Sequence, residues 1–427
     1  MYNKRKGFIL LLSYGIVAVL LILVASFTAR SIAAWRAAER ERNSVAALYA
    51  AEAGIDYGLE WLRAQNIPPG GTAAFNLPAG PVLNSGAYTV WIDPDDENPN
   101  LYLKKYFVLS NGRNGDVERN ISYLVQVDSF ARYIWLTDME VFRQTGRDIP
   151  VYFTSGDELT GPTHTNGNYN ISGDPVFNDV VSSAEDFINY LHGGPPADNP
   201  TFSDGIQLGA DEIPMPSKAL DLRTASTQDG YHFEGLTTIV LNADGTMTVT
   251  NDKLSPATQT MALPANGAVF VTGARAGENL HVSGTLQGQL SIGTNRDLII
   301  DGNITYATNP QTNPDSTDVL GLIAEKDVVV SESASPPGGN LTVQASIMAM
   351  DDSFYADNWA NELKGTLNVF GGIIQDRRGP IGTFNSRTNQ KASGYTKNYI
   401  YDSRLRTLPP PFYPTTGDYV GLSWREQ

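Results

Sequence analysis

The sequence predicts an α+β chain that is mostly β: a long N-terminal helix, a small antiparallel sheet, and a head built as an irregular right-handed β-solenoid (β-helix). An uncharged apolar run near the N-terminus and a proline-free helical stretch after it predict the helix. Beyond residue 262, short alternating strands close on glycines at about every tenth residue, which is typical of stacked rungs. These closing glycines are Gly273, Gly284, Gly293 and Gly302.

Composition excludes several classes of function. The formal net charge is −16, which is unfavourable for a general hold on nucleic acid phosphates, so no nucleic acid partner is expected. The chain has no cysteine, which excludes disulfides, thiolate metal sites and cysteine nucleophiles. Charged residues make up 18% of the chain, and this moderate share favours a folded body over disorder.

The N-terminal residues predict a membrane span. Residues 1–7 (MYNKRKG) form a basic leader, and residues 8–29 carry no charge, long enough for a transmembrane helix. The basic cluster is expected on the cytoplasmic side, with the body outside. The alternative is a cleaved secretory signal, whose only passable site, Ser31–Ala33, follows Arg30. The apolar run is longer than the ~7–15 residues of such signals, which favours the span.

The helix is predicted to continue to about residue 66. Residues 30–65 are rich in Ala, Glu, Arg and Leu, and Pro68 is the first proline. Apolar residues recur there at helical spacing and make a stripe that needs a partner surface. The chain's own body and neighbouring copies are the two candidates.

The N-terminal motifs resemble a known family. A basic leader ending in Gly7, with Phe8 opening an apolar helix, resembles the processing site of type IV pilins and pseudopilins. Arg40–Gly54 (RERNSVAALYAAEAG) is similar to the N-terminal region of PilX-type minor pilins and K-type pseudopilins. The resemblance implies cleavage after Gly7 by a prepilin peptidase, methylation of the Phe8 amine, insertion in the inner membrane, and other pilin or pseudopilin subunits as partners. The filament-packing residues it implies are Leu12, Tyr14, Glu52 and Gly54.

Leu12 departs from the pattern of the major pilins. Those proteins usually carry a glutamate as the fifth residue after cleavage, and here that position is Leu12. A carboxylate in hydrocarbon needs a partner, so a subunit with no neighbour ahead of it can dispense with the group. The resemblance therefore implies a subunit at the filament tip that primes assembly or adheres, found in the inner membrane first and then on the pilus or cell surface. An anchor helix that never polymerises is the alternative.

Residues 67–140 are predicted to form the small sheet, as in pilins. Its strands are expected at Ala87–Ile92, Leu101–Leu109 and Ile121–Phe130. The loop between the first two is acidic and is a weak calcium candidate, but it lacks the spacing and central glycine of the helix–loop–helix site. A solvated hairpin loop is favoured, and no other cofactor is expected. The acidic residues are Asp93, Asp95, Asp96 and Glu97.

The head is predicted over residues 141–404, with an insertion at about 184–260 and a Pro-rich tail at 405–427. A β-sandwich is the alternative to the solenoid. Gly161–Gly167 (GPTHTNG) and Tyr399–Pro414 are similar to signatures of an uncharacterised bacterial family with PilX-like N-termini.

The sequence indicates a structural protein and not an enzyme. The usual serine-hydrolase, zinc-protease and P-loop motifs are absent. A tethered polysaccharide-degrading enzyme would need carboxylates facing a groove, and nothing in the sequence brings Asp301, Asp327, Asp351 and Asp352 together. Trp359 is a candidate for contact with a surface glycan or protein ligand, or for a residue capping the head's core. A tethered surface-binding protein that never enters a filament remains a further alternative.

Overall fold

A computed structural model describes residues 4–65, 68–69, 73–78, 86–95, 103–388 and 390–426, with side chains from Phe8 onward. The chain divides into two compact units. The small unit contains the described residues of 1–98, 104–126 and 419–427. The second unit, called the head below, contains those of 99–103 and 127–418.

In the described part of the chain there are two α-helices, α1 (Lys4–Arg63) and α2 (Leu220–Gln228), and short 3₁₀ turns at Phe130–Arg132, Glu332–Ala334 and Ser403–Arg406. The strands are β1 (Phe75–Asn76), β2 (Ala87–Pro94), β3 (Lys105–Asn114), β4 (Val117–Ser129), β5 (Trp135–Met139), β6 (Val141–Gln144), β7 (Arg147–Pro150), β8 (Phe153–Thr154), β9 (Glu158–Thr160), β10 (Thr163–Thr165), β11 (Asn170–Ser172), β12 (Val176–Phe177), β13 (Val181–Ser183), β14 (Asn189–Tyr190), β15 (Thr201–Phe202), β16 (Ile206–Leu208), β17 (Tyr231–Glu234), β18 (Thr237–Leu241), β19 (Thr246–Asn251), β20 (Thr258–Ala262), β21 (Ala268–Thr272), β22 (Leu280–Leu286), β23 (Gln289–Thr294), β24 (Leu298–Tyr306), β25 (Val319–Ala324), β26 (Val328–Val330), β27 (Leu341–Ala356), β28 (Leu363–Arg377), β29 (Gly382–Phe384), β30 (Lys391–Tyr401) and β31 (Thr415–Glu426). The chain is thus mostly β with one long N-terminal helix, as predicted.

The second half of α1 packs on the small sheet. Its buried residues recur three or four positions apart, which places them on one face of the helix. The helix spans Lys4–Arg63 and ends three residues before the predicted end at 66. The predicted start at residue 8 refers to the chain after removal of the leader and stays a prediction. Pro68 and Pro69 lie shortly after the last turn, and proline cannot supply the N–H that would continue a helix. The buried apolar residues are Ala47, Ala50, Ala51, Ile55 and Leu62.

The small sheet has the strand order β1–β2–β3–β4–β31. The pairs β1–β2, β2–β3 and β3–β4 are antiparallel, which confirms the predicted antiparallel sheet. Three glycines let α1 approach it closely. A Cβ on Gly58 would lie 2.6 Å from Val108 Cγ1, a Cβ on Gly54 would overlap Ser110 Oγ, and one on Gly112 would overlap the helix backbone.

The C-terminal segment ends in a strand. Residues 405–427 were expected to form a Pro-rich tail, and that prediction is wrong from Thr415 onward because β31 joins the small sheet. From Val420 to Trp424 every second residue of β31 is apolar. The Tyr419 hydroxyl donates to the Leu62 carbonyl oxygen at 3.5 Å, whereas Val420 and Trp424 point the other way and are exposed.

Parallel pairing dominates the head. A first run of strands begins at β5 and continues through β10, β13 and β16. A second run begins at β17 and continues through β21, β23, β25 and β27 to β28. Strand β28 then pairs in parallel with β5, with Ile373 opposite Trp135. The chain therefore enters this stack in its middle, builds one end, and returns from the other end to meet its own first strand.

The predicted insertion at residues 184–260 belongs largely to this stack. Strands β14, β15 and β16 pair in parallel with earlier strands, and β17 and β18 pair with β21 and β22. The antiparallel strands β19 and β20 extend beyond it. The insertion prediction is wrong because these strands pair with strands in other parts of the sequence. The spacing of apolar residues within one segment cannot indicate such pairings.

The connection between the two runs lies along the side of the stack. The Asn166 side chain holds it by two hydrogen bonds of 2.9 Å with the backbone of Ile213. The guanidinium of Arg223 in α2 then donates to both carboxylate oxygens of Glu325 at 3.1 Å. Leu222 is fully buried and packs beside Gly293, where a Cβ would lie 2.6 Å from it. These contacts fix the long connection that lets the second run start at the far end.

The Pro-rich segment after β30 also packs on the head. Arg404 donates to the carbonyl oxygens of Ser316 and Asp318 at 2.6 and 3.0 Å. Pro411 lies beside Gly267, where a Cβ would be 2.7 Å from its ring. The Phe130 N–H donates to the Pro414 carbonyl oxygen at 3.2 Å, so the chain leaves the head beside the point at which it entered.

Candidate functional site

The first half of α1 is an exposed apolar surface. Among the described residues, this is the one helix that is long and apolar enough to cross a membrane, judged by length and composition. None of the side chains in its most apolar stretch is buried. Phe8 is 70% exposed, and a monomeric soluble protein rarely leaves so continuous an apolar surface in water. The N-terminal apolar helix is therefore consistent with membrane anchoring.

The predicted filament-packing residues fall on different surfaces. Leu12 and Tyr14 are exposed on the apolar half of α1. Glu52 is half-buried, and Gly54 is buried against the small sheet of its own chain. Packing within the subunit thus accounts for a glycine at position 54, and the structure does not bring the four residues together. Of the predicted processing site, Phe8 is described in full. For Gly7 the structure describes the helical backbone but not the burial, and residues 1–3 lie outside the described part.

Apolar exposure continues past the predicted span. Trp35 and Tyr49 are 65% and 66% exposed, and Ile32 and Val45 are exposed as well. These side chains lie beyond the ~20 residues that a bilayer core covers. Burying a side chain of this size is worth about 1.5–3 kcal/mol, so the stripe favours a protein partner.

The weak calcium candidate is only partly described. Asp93 and Asp95 are half-buried, and Asp96 and Glu97 lie outside the described residues. The Asp95 N–H donates to the Lys105 carbonyl oxygen at 2.9 Å, which fits a strand end. No group of three or more His, Asp or Glu in the described residues is arranged to hold a metal ion.

The head carries a row of carboxylates on successive strands. Burial, together with repulsion from Asp352 and Asp297, raises the pKa of Asp327 to about 7. Burial likewise raises the pKa of Asp376 to about 6, with Asp138 adding to the effect. Nothing in the sequence brings Asp327 and Asp352 together, and the parallel pairing of β26 with β27 does so. Asp351 and Asp352 also lie near Asp376. Asp301 instead pairs with His281 Nδ1 at 2.8 Å. Asp327 and Asp376 therefore take up protons near neutral pH.

A cavity of ≈ 330 Å³ opens in the head between two antiparallel hairpins, β6–β7 and β29–β30. Trp359 lines it, half-buried, with its ring 6.1 Å from that of Phe142 in an edge-on contact. Tyr152 and Phe384 form a second edge-on pair at 6.4 Å. Trp359 was predicted to contact a ligand or to cap the core. It packs against the core and also faces the cavity.

An ion pair borders the cavity. The Lys397 ammonium donates to Asp157 Oδ2 at 2.6 Å, and Asp157 is only 6% exposed. Burial lowers the pKa of Lys397, while Asp157 acts in the opposite direction. The Thr154 N–H donates to the same carboxylate oxygen at 2.8 Å, which keeps the carboxylate in place.

A second ion pair is fully enclosed in the head. Arg378 donates to Glu140 Oε2 at 2.7 Å, and both side chains are 1% exposed. The Trp135 indole N–H donates to Glu140 Oε1 at 3.0 Å. The guanidinium of Arg378 lies 3.6 Å from the centre of the Phe153 ring. Sequence reasoning missed this pair because its members are far apart in the chain.

The GPTHTNG segment is a structural element of the head. His164 is 2% exposed and bonds Ser182 Oγ through Nδ1 at 2.8 Å and Asn166 Oδ1 through Nε2 at 2.9 Å. Burial lowers the pKa of His164, which favours the neutral imidazole. Asn166 in turn holds the connection at Ile213, so the segment ties three parts of the head together.

The chain matches one family of unknown function over part of its length and is similar in structure to a pilin. Residues 101–185 match a family described as Domain of unknown function (DUF4900). A comparison with curated proteins gave no match. Among solved structures, the chain is similar to the competence-associated pilin ComZ from Thermus thermophilus, with 13% identity and a TM-score of 0.37, over 90% of this chain and 97% of that chain. At that TM-score, the functional inferences rest on this chain's own residues.

Proposed function

We propose that this protein is a membrane-anchored, non-enzymatic subunit of a type IV pilus or related filament, of the minor pilin or pseudopilin kind. One observation carries the proposal: α1 is a continuous helix whose second half packs on its own antiparallel sheet, while residues 8–29 of its first half are uncharged, almost wholly apolar and unburied. The free half suits a membrane before assembly and neighbouring helices afterwards.

The stripe beyond the span favours a filament over a simple tether. A tether needs an apolar helix only across the bilayer, whereas here Trp35 and Tyr49 stay exposed well past it. Helices of neighbouring subunits are partners that cover both the span and the stripe. Position at the filament tip, with priming or adhesion as its role, is supported by Leu12, since an uncharged residue there needs no neighbour's amine.

We further propose that the head is a β-solenoid. Two long runs of parallel strands, paired in register from β17 to β28 and from β5 to β16, support this architecture. Exported on the far side of the membrane, such a head faces the periplasm or the outside.

The N-terminal mass of the protein purified from its native membranes tests the filament proposal. We expect a chain that starts at methylated Phe8, and an intact leader in cells lacking the prepilin peptidase. A start at Met1 or after Ala33 in normal cells would contradict the proposal.

A crosslinking experiment separates a filament subunit from a tether that never assembles. A photo-reactive residue at Tyr49 should capture other pilin subunits in intact cells. The matched control is Asp244, at the turn between β18 and β19 of the head. Equal capture from both positions, or capture from neither, would favour the tether.

A further inference from the structure

We propose that the cavity between the β6–β7 and β29–β30 hairpins binds a short saccharide, such as the exposed end of a glycan. The inference does not depend on assembly into a filament. At ≈ 330 Å³, the cavity lies at the lower end of the ~300–1,000 Å³ typical of small-ligand sites. It combines apolar walls with a few fixed polar groups, as such sites usually do.

The polar groups suit hydroxyls. Asp157 Oδ2 accepts hydrogen bonds from Thr154 and Lys397, while Asp157 Oδ1 takes none from the residues that the structure describes. Lys397 has three N–H donors, and one of them is engaged with Asp157. A sugar hydroxyl donates and accepts at once, so a single hydroxyl can donate to Asp157 Oδ1 and accept from Lys397.

The walls suit a ring with C–H faces. Five aromatic side chains line the cavity, the fifth being Tyr395. Four of them form the two edge-on pairs Phe142–Trp359 and Tyr152–Phe384, which limit their movement. Rigid aromatic surfaces provide large apolar contact at low entropic cost. A sugar ring offers apolar faces for these walls and hydroxyls at its edge for the ion pair.

Other ligand classes fit less well. A purely apolar ligand would bury the Asp157–Lys397 pair without supplying hydrogen bonds, which is costly. A strongly charged ligand would meet two charges that largely cancel. The second lysine of the cavity, Lys391, donates to the carbonyl oxygens of Lys364 and Gly365 at 2.7 and 3.3 Å, so its ammonium is already engaged by the backbone.

The test is saccharide binding to the full-length protein in nanodiscs. A panel of mono- to tetrasaccharides, including maltose, cellobiose and N,N′-diacetylchitobiose, is screened by saturation-transfer NMR and titrated by calorimetry. Phe384→Ala removes one aromatic wall, and Asp157→Asn removes the charge with little change of shape. Phe187→Ala is the matched control, because Phe187 is an aromatic residue of the head that is 55% exposed and does not line the cavity.

We expect at least one saccharide to bind, with affinity about tenfold lower in each cavity variant and unchanged in the control. If Asp157→Asn lowers the melting temperature strongly, Phe384→Ala and the size-preserving Phe384→Leu decide alone. Absence of binding across the panel, or equal binding by cavity variants and control, would overturn the proposal. So would peptides from a display library that bind in the same cavity while no saccharide does, since the ligand would then be a protein segment.

Discussion

The enclosed pair of Arg378 and Glu140 allows a quantitative prediction. We consider Arg378→Met, Glu140→Gln and the two changes combined. Methionine fills much of the arginine volume and keeps contact with the Phe153 ring. Glutamine keeps an acceptor for the Trp135 indole and the Thr137 hydroxyl.

The magnitude follows from burial. Both side chains are 1% exposed, so removing either charge leaves its partner uncompensated in the core, at a cost of about 3–5 kcal/mol. The Arg378→Met variant also loses the cation–π contact with Phe153, worth roughly 0.5–2 kcal/mol. The combined variant buries no charge, and we expect it to lose only about 1–3 kcal/mol. The two single effects should therefore be strongly non-additive.

The assay is urea unfolding of the full-length protein in detergent, followed by tryptophan fluorescence and pulse proteolysis of the head. Each single variant should unfold at a urea concentration lower by roughly 1 M or more, and the combined variant should recover most of that loss. Arg275→Met, at an exposed position of the head, is the control and should match the parent. Additive losses, or a single loss below about 1 kcal/mol, would refute the assignment of a coupled, enclosed ion pair.

Three further predictions address other parts of the molecule. Gly112→Ala places a methyl group against the α1 backbone and should cost at least about 1–3 kcal/mol, seen as faster proteolysis of the small unit, whereas Gly15→Ala has open space and should be harmless. Because burial raises the pKa of Asp327 to about 7, its ionised form costs stability at pH 8, and Asp327→Asn should raise the free energy of unfolding there by about 1–4 kcal/mol, seen as a higher melting temperature. The gain should shrink as pH falls through 7 towards 4, and an equal gain at pH 8 and pH 4 would contradict the reasoning. Deleting residues 415–427 removes β31 and leaves β4 as an open edge, so size-exclusion chromatography in detergent should show aggregation, and a stable monodisperse product would argue against the strand.

Local signals predicted the long helix and much of the small sheet. Charge, apolar length and the first proline at Pro68 mark the helix, and the strand Ala87–Ile92 corresponds to β2 within two residues. These features depend only on residues close together in the chain, so they can be predicted from one sequence. Apolar and small or polar residues also alternate in β31, as expected for a strand. The prolines just before it favoured an irregular tail instead, so the strand was not predicted.

Non-local pairings could not be predicted. Nothing near Trp135 indicates that its strand pairs with Ile373, or that Glu140 meets Arg378. The same limit hid the cavity, whose two hairpins are more than two hundred residues apart in the chain. Trp359 was recognised as a candidate from its polar surroundings, whereas Asp157 and Lys397 gave no signal until the parallel strands brought them together.

The double crossing between sheet and head has a mechanical consequence. The chain enters the head after β4 and returns through β31, next to β4 in the sheet order. Inside the head, the hydrogen bond from Phe130 to Pro414 ties the entering segment to the leaving one. A pull on the head is therefore shared by the covalent connections at β4 and at β31. A single protease cut within the head leaves both fragments still held by strands of the sheet. Such a link is suited to a part that must stay attached under tension.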